Sequence, residues 1–197
     1  FLEEECADEY FLKLKSEYQF LKTKYSLTAT LHKHQWKFLR LRPANFPTLR
    51  IAEFAAFIST ASGIFSMFLE SDSKNIKQTL RSKPTAYWQS HYRFGESTEK
   101  KISGLGESGA QLICINTVVP ILAAYSYHID DSHYLDKAIA HLQGLKIESN
   151  SIISKMKAAG FEADNAFDSQ GLIELHNNYC LKKRCLQCNV GASLVRP

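Results

Sequence analysis

The stretch GLGESGAQLICINTVVPILAAYSYHI, residues 104–129, decides the fold. From Ala110 onward it is apolar on nearly every side, and it is too long for a strand. A transmembrane helix needs ~20 consecutive apolar residues, and this run nearly reaches that length. Gln111, Asn116, Thr117, Pro120 and Ser126 interrupt it. The reading is therefore a buried central helix, kinked at Pro120, with no membrane span. The fold class that follows is all-α: a single irregular helical bundle packed around residues 110–128.

The flanking sequence supplies further helices. Ala7, Phe11, Leu14, Tyr18, Leu21 and Tyr25 recur at spacings of three and four and predict an N-terminal helix with one apolar face. Pro43 and Pro47 forbid a continuous helix through RLRPANFP, so a turn or extended piece is expected there, with a helix starting near Pro47. Ile51, Phe54, Ile58, Ala61, Phe65 and Phe68 form its expected apolar stripe. Short helices are predicted for Asp72 to Leu80 and for PTAYWQSHYRFG, the latter ended by Gly95. Beyond the central helix, Asp130 or Asp131 can cap a helix with Leu135, Ala138, Leu142 and Leu145 inward. Another helix runs from about Ser151 and stops at Gly160. Asp168 can cap the last one, with Leu172, Leu175 and Tyr179 inward.

Composition agrees with a packed helical chain. The 197 residues are 45% hydrophobic and 22% charged, which excludes global disorder. That length predicts a single domain over 1–197. Five cysteines is an odd number, and three of them crowd within nine residues, which argues against a secreted disulfide scaffold and for a reducing cytoplasm. The chain opens with Phe1 and enters a helix directly, so it reads as a fragment of a longer protein. The net charge of +4 is unevenly spread. No acid lies between Glu17 and Glu53 or after Glu174, whereas Glu3, Glu4, Glu5, Asp8 and Glu9 crowd the first turns.

Several pieces together are similar to a known family: RLRPANFPTLRIAEFA, YWQSHYRFG, LGESGAQLICINTVVPILAAY and SQGLIELHNNYCLKKRCLQC. They resemble the C-terminal half of an uncharacterised bacterial family, common in Bacteroidetes, catalogued as domain of unknown function 2851. The similarity runs from about Trp36 to Cys188. Members of about twice this length imply that an N-terminal half lies outside this sequence and would be a partner of the chain. The resemblance implies a bacterial, cytoplasmic protein and carries no activity or catalytic residues.

Candidate sites come from the residues themselves. YCLKKRCLQCNVG, residues 179–191, holds Cys180, Cys185 and Cys188 in a C-x4-C-x2-C pattern. His176 lies one helical turn before Cys180, so these four could bind zinc, or the thiolates an iron–sulfur cluster. The same residues equally fit a packed end of helix with three unligated thiols. GLGESGAQLI is similar to the hairpin of helix-hairpin-helix proteins, in which Gly104 and Gly106 would expose backbone N–H groups to a DNA phosphate beside Lys100 and Lys101. A tight turn into the central helix explains the glycines as well.

Arg40 and Arg42 alternate on a non-helical segment, and an extended backbone would point both guanidiniums the same way. With Arg50 and the Lys182, Lys183, Arg184 cluster, they make the expected anion-binding set, for nucleic acid or another polyanion. HIDDSHYLDKAIAH is rich in metal-ligating types, but His133 and His141 are two turns apart. No serine–histidine–acid set, Walker loop or H-E-x-x-H motif is present in the sequence. The functional expectation is a non-catalytic helical module binding a polyanion. The alternatives are an accessory half of an enzyme whose chemistry lies elsewhere, and a structural or partner-docking module.

Overall fold

A computed structural model describes residues 1–195. The protein is mostly helical, with two short strands among the described residues. Its residues gather into two compact units, the first from residues 1–67 and 77–110, the second from residues 68–76 and from 111 onward.

In the first unit, α1 spans Glu9–Lys24. Asp8 caps it, its Oδ1 accepting from the Phe11 amide at 2.9 Å. Glu9 in the first turn and Lys22 and Lys24 in the last suit the helix dipole. Two 3₁₀ turns follow, Lys33–Gln35 and Pro43–Asn45, so the prolines act as the sequence predicts. α2 spans Pro47–Thr60 with Pro47 in its first turn. Gly63, at φ +81°, then turns the chain into α3, Ile64–Glu70. α4 covers Ser73–Leu80 and begins among the residues of the second unit; Asp72 Oδ1 accepts from the Asn75 amide at 2.7 Å.

The segment expected to be a helix through PTAYWQSHYRFG is different. Ala86–Gln89 forms a 3₁₀ turn, and β1, His91–Arg93, pairs antiparallel with β2, Glu96–Ser97. Gly95, at φ +71°, makes the hairpin turn possible. Its amide is fixed by the Tyr87 hydroxyl at 2.9 Å. The aromatic residues that resemble a helical stripe are used instead on a core with Trp88, Leu49 and Ile102 at its centre and Tyr10, Tyr87, Tyr92 and Phe94 around it.

The apolar stripe expected on α2 is also out of phase. Phe57 is 5% exposed, and Leu49 is buried, whereas Phe54 is 59% exposed and Ile51, Ile58 and Phe65 are exposed too. The helix turns Thr48, Leu49, Glu53 and Phe57 inward. Burial of Glu53 is what periodicity could not predict, because a carboxylate is counted as a surface residue.

The helix of the opening stretch runs over Glu107–Ile129. It comprises α5, Glu107–Ile113, a π-helical turn, Cys114–Val118, and α6, Val119–Ile129. Proline at 120 lacks an N–H and its ring crowds the Asn116 carbonyl four residues back. The widened turn, in which Val119 N–H reaches Cys114 O, accommodates this without a break. Ala110, Cys114, Val118, Leu122 and Ser126, four residues apart, are buried. Leu112 and Tyr127 are exposed, so one face is covered rather than every side. By length and composition the helix is long and apolar enough to cross a membrane.

In the second unit, Asp130 ends α6 in the left-handed conformation, and Asp131 Oδ1 accepts from His133 N to start α7, His133–Gln143. α6 packs on α7, which buries Ala138 and, just past its end, Leu145. α8, Ser151–Ala158, is capped by Asn150 and ends at Gly160. α9 is Ala166–Leu175, and its cap is Asn165 rather than Asp168, whose amide Asn165 Oδ1 receives at 3.1 Å. A second π turn, His176–Cys180, a 3₁₀ turn, Cys185–Gln187, and α10, Asn189–Val195, complete the chain.

The two phases of α2 can be told apart by urea unfolding. Phe57→Ala is expected to cost about 3–5 kcal/mol, and Phe54→Ala less than about 1 kcal/mol. The reverse order would restore the sequence-derived stripe.

Candidate functional site

The first unit holds an apolar cavity of about 810 Å³. Tyr10, Leu14 and Tyr18 reach it from α1, and Ala52, Ala55, Ala56 and Ser59 from α2. Trp36, Trp88 and Phe94 add aromatic wall, and Lys83, Thr85 and Glu3 add polar groups. The internal polar groups are satisfied locally. Trp88 Nε1 donates to the Tyr10 hydroxyl at 3.2 Å, and that hydroxyl lies 3.1 Å from Thr85 Oγ1. Thr48 Oγ1 donates to Tyr92 O at 2.5 Å. Sequence reasoning missed this cavity. The available signal was the run Ala52, Ala55, Ala56, Ser59, which puts small side chains one turn apart on one helix face.

On the buried face of α2, Arg50 Nη1 donates to Glu53 Oε2 at 2.5 Å and Nη2 to Asn45 Oδ1 at 2.6 Å. Arg50, one of the expected anion ligands, is thus committed to an internal acid. Glu53 is 5% exposed, and its Oε1 is buried without a hydrogen-bond partner. Burial raises the Glu53 pKa above 4.5, against the opposing effect of the Arg50 charge and hydrogen bond. A β-carbon on Gly104 would lie 4.0 Å from Glu53 Oε1 and 3.5 Å from Pro84. Gly104 itself has φ +79°. Its glycine is therefore explained by backbone geometry, and the nearest polar group is an acid, which disfavours a phosphate there. Gly106 precedes Glu107, whose carboxylate takes Lys77 at 2.6 Å and Arg81 at 2.9 Å.

Arg40 sits at φ +62°, in the left-handed region, so the alternation expected of an extended segment does not hold at that residue. Arg42 is extended at φ −68°, ψ 143°. Both are exposed, as are Lys100 and Lys101. In the second unit, Lys182, Lys183 and Arg184 are exposed after the second π turn, with Lys182 Nζ donating to Asn178 Oδ1 at 2.6 Å.

Of the expected metal ligands, Cys180 and Cys185 are exposed, His176 is half-buried and Cys188 is buried. Among the described residues, no group of three or more His, Cys, Asp and Glu side chains is placed to hold one metal ion. His176 Nδ1 instead lies 3.1 Å from Asn177 Oδ1. Chain packing explains the crowding of this end: a β-carbon on Gly191 would fall 2.2 Å from Cys185 O.

The second unit also brings together a pair that sequence reasoning did not. Ser73 Oγ and His141 Nδ1 are hydrogen-bonded. His141 is 5% exposed, and its Nε2 is buried without a partner. Its pKa is lowered from 6.5, first by burial and then by the Lys137 charge, with Asp72 opposing. No acid hydrogen-bonds the imidazole, so the orienting member of a nucleophilic triad is missing among the described residues.

These features describe a helical module with an apolar cavity and scattered exposed cations. The chain belongs to the family described as protein of unknown function (DUF2851), whose model matches residues 1–151. The match takes in α1, upstream of the Trp36 at which the sequence resemblance begins, and ends before the cysteine-rich stretch. Comparison with curated proteins gives no match, and comparison with solved structures gives none.

Two of the shifted groups, His141 and Glu53, give opposite pH slopes. Neutral His141 contributes stability that is lost as pH falls below 6.5 toward its lowered folded value. Protonated Glu53 contributes stability present below pH 4.5 and lost as pH rises through its raised folded value. Urea midpoints measured against pH should lose the first slope in His141→Asn and the second in Glu53→Gln. Unchanged profiles would mean that neither group titrates differently on folding.

Proposed function

We propose that this chain is a non-catalytic helical module that binds a polyanion, nucleic acid in the first instance. The observation that carries the reading is a set of uncommitted cations. Arg40, Arg42, Lys100, Lys101, Lys182, Lys183 and Arg184 are all exposed, and none of them takes part in an ion pair among the described residues. Arg50, Lys77 and Arg81 contrast with them: Arg50 is held by the buried Glu53, and Lys77 and Arg81 by the exposed Glu107. Free surface cations displace counterions from a phosphate backbone, and this displacement supplies sequence-independent affinity. A reducing, cytoplasmic setting, expected from the odd and crowded cysteines, fits this reading.

A zinc or iron–sulfur site on His176, Cys180, Cys185 and Cys188 belongs to the same proposal only with a rearrangement of the Arg184–Cys188 turn. Metal analysis of anaerobically prepared protein checks it. One equivalent of zinc that disappears in Cys185→Ala and Cys188→Ala supports the site, and metal-free protein removes it. The alternative role, completing the substrate groove of a catalytic half outside this sequence, predicts activity only when that half is present.

Fluorescence anisotropy of labelled single- and double-stranded DNA across a salt series tests the leading reading. Binding should weaken linearly on a log–log plot, by about 0.7–0.9 per phosphate neutralised. Replacing Lys182, Lys183 and Arg184 with Gln should flatten the slope by about two to three. Arg50→Gln should leave the slope as it is. Failure to bind at any salt concentration would sink the proposal.

A further inference from the structure

We propose that the cavity of the first unit binds an amphipathic anion, a long-chain carboxylate, with its chain between α1 and α2 and its head at Lys83 and Thr85. This inference stands apart from the polyanion reading, whose cations do not line the cavity.

Size is the first argument. About 810 Å³ lies inside the range of small-molecule pockets. The second is shape. Tyr10, Leu14 and Tyr18 succeed one another by four residues on α1, and Ala52, Ala55, Ala56 and Ser59 run along α2. At 1.5 Å per residue each lining row extends about 10–12 Å. A long apolar trough with small side chains on one wall suits an alkyl chain better than a flat polar ring. The ring would need hydrogen-bond partners, and the interior offers few that are not already used.

The third argument is the polar end. Lys83 lines the cavity, is exposed and has no ion pair among the described residues. Glu3, the acid in the lining, faces His32 Nδ1 at 3.8 Å. Trp88 Nε1 donates to the Tyr10 hydroxyl, and a bound carboxylate selects the order in which that hydroxyl gives its single hydrogen to Thr85 Oγ1, 3.1 Å away. In that order of donation the Thr85 hydroxyl hydrogen is left over, two residues from the Lys83 ammonium. A carboxylate accepts from both, a charge-assisted pair of the kind that orients such ligands.

Both tryptophans of the protein, Trp36 and Trp88, line the cavity, so its occupancy reports directly in intrinsic fluorescence. Dodecanoate, titrated below its micelle concentration, should change the emission saturably with one site per chain. Ala56→Leu, which fills the trough, should weaken it at least tenfold. Ala55→Leu, at a more exposed position, is the second filling variant should the first fail to fold. Lys83→Gln should weaken dodecanoate about tenfold and leave dodecanol unchanged.

No saturable response to dodecanoate overturns the proposal. So does equal weakening of acid and alcohol by Lys83→Gln, or binding indifferent to both filling variants. Displacement of dodecanoate by a single-stranded oligonucleotide would also overturn it, assigning the trough to nucleic-acid bases.

Discussion

The indole N–H of Trp88 is buried and must find an acceptor, and the Tyr10 hydroxyl is the one within reach. That single bond connects an N-terminal helix to a turn 78 residues later. Around it, Tyr10 stacks on Tyr87 with centroids 4.2 Å apart, Tyr87 stacks on His91 at 3.9 Å, and Phe94 meets Trp88 edge-on at 5.0 Å. Leu49 and Ile102 close the cluster. The hairpin, the placement of α1 and the shape of the cavity all follow from satisfying this tryptophan. With Trp88 tied to Tyr10, Tyr10 and Trp88 become wall and α2 offers mostly small side chains, Ala52, Ala55, Ala56 and Ser59, so space remains.

Burial also decides which charged residues remain available. Glu53 is turned inward by the phase of α2 and draws Arg50 with it, and Arg50 in turn holds Asn45. A cation that reads as a surface ligand in the sequence is thereby converted into a structural counterion. Glu107 at the start of α5 is exposed, yet it too commits two cations, Lys77 and Arg81. What remains unpaired is the basic residues with no carboxylate folded against them; Arg40, Arg42, Lys182, Lys183 and Arg184 sit in the acid-free stretches of the chain, whereas Lys100 and Lys101 follow Glu99.

In the second unit the organising constraint is Pro120. A proline deep in a long apolar helix would ordinarily kink it. Here the turn before it widens to π geometry, and the register of the buried row from Cys114 to Ser126 is kept. The same device recurs at His176–Cys180, where Leu181 N reaches His176 O at 2.7 Å. It carries the chain into the turn that exposes Lys182, Lys183 and Arg184.

The sequence by itself determined the helical class, the long helix with its disturbed centre at Pro120, the proline-broken entry to α2, and the caps at Asp131 and Gly160. These depend on local rules: backbone chemistry of proline and glycine, side-chain capping, and length of apolar run. It also located the cationic stretches, because charge is a property of residues. Tertiary structure alone decided the phase of α2, the hairpin in place of a helix after Ala86, the partner of Arg50, the Ser73–His141 contact and the cavity. Most of these depend on groups far apart in the chain; the Arg50–Glu53 pair is local in sequence, but the burial that makes it structural is not. A carboxylate is buried only where a distant segment covers it, and a strand pairs only where a distant core takes its aromatic side chains. A cavity is the space that two facing helices fail to fill, which no single periodicity records.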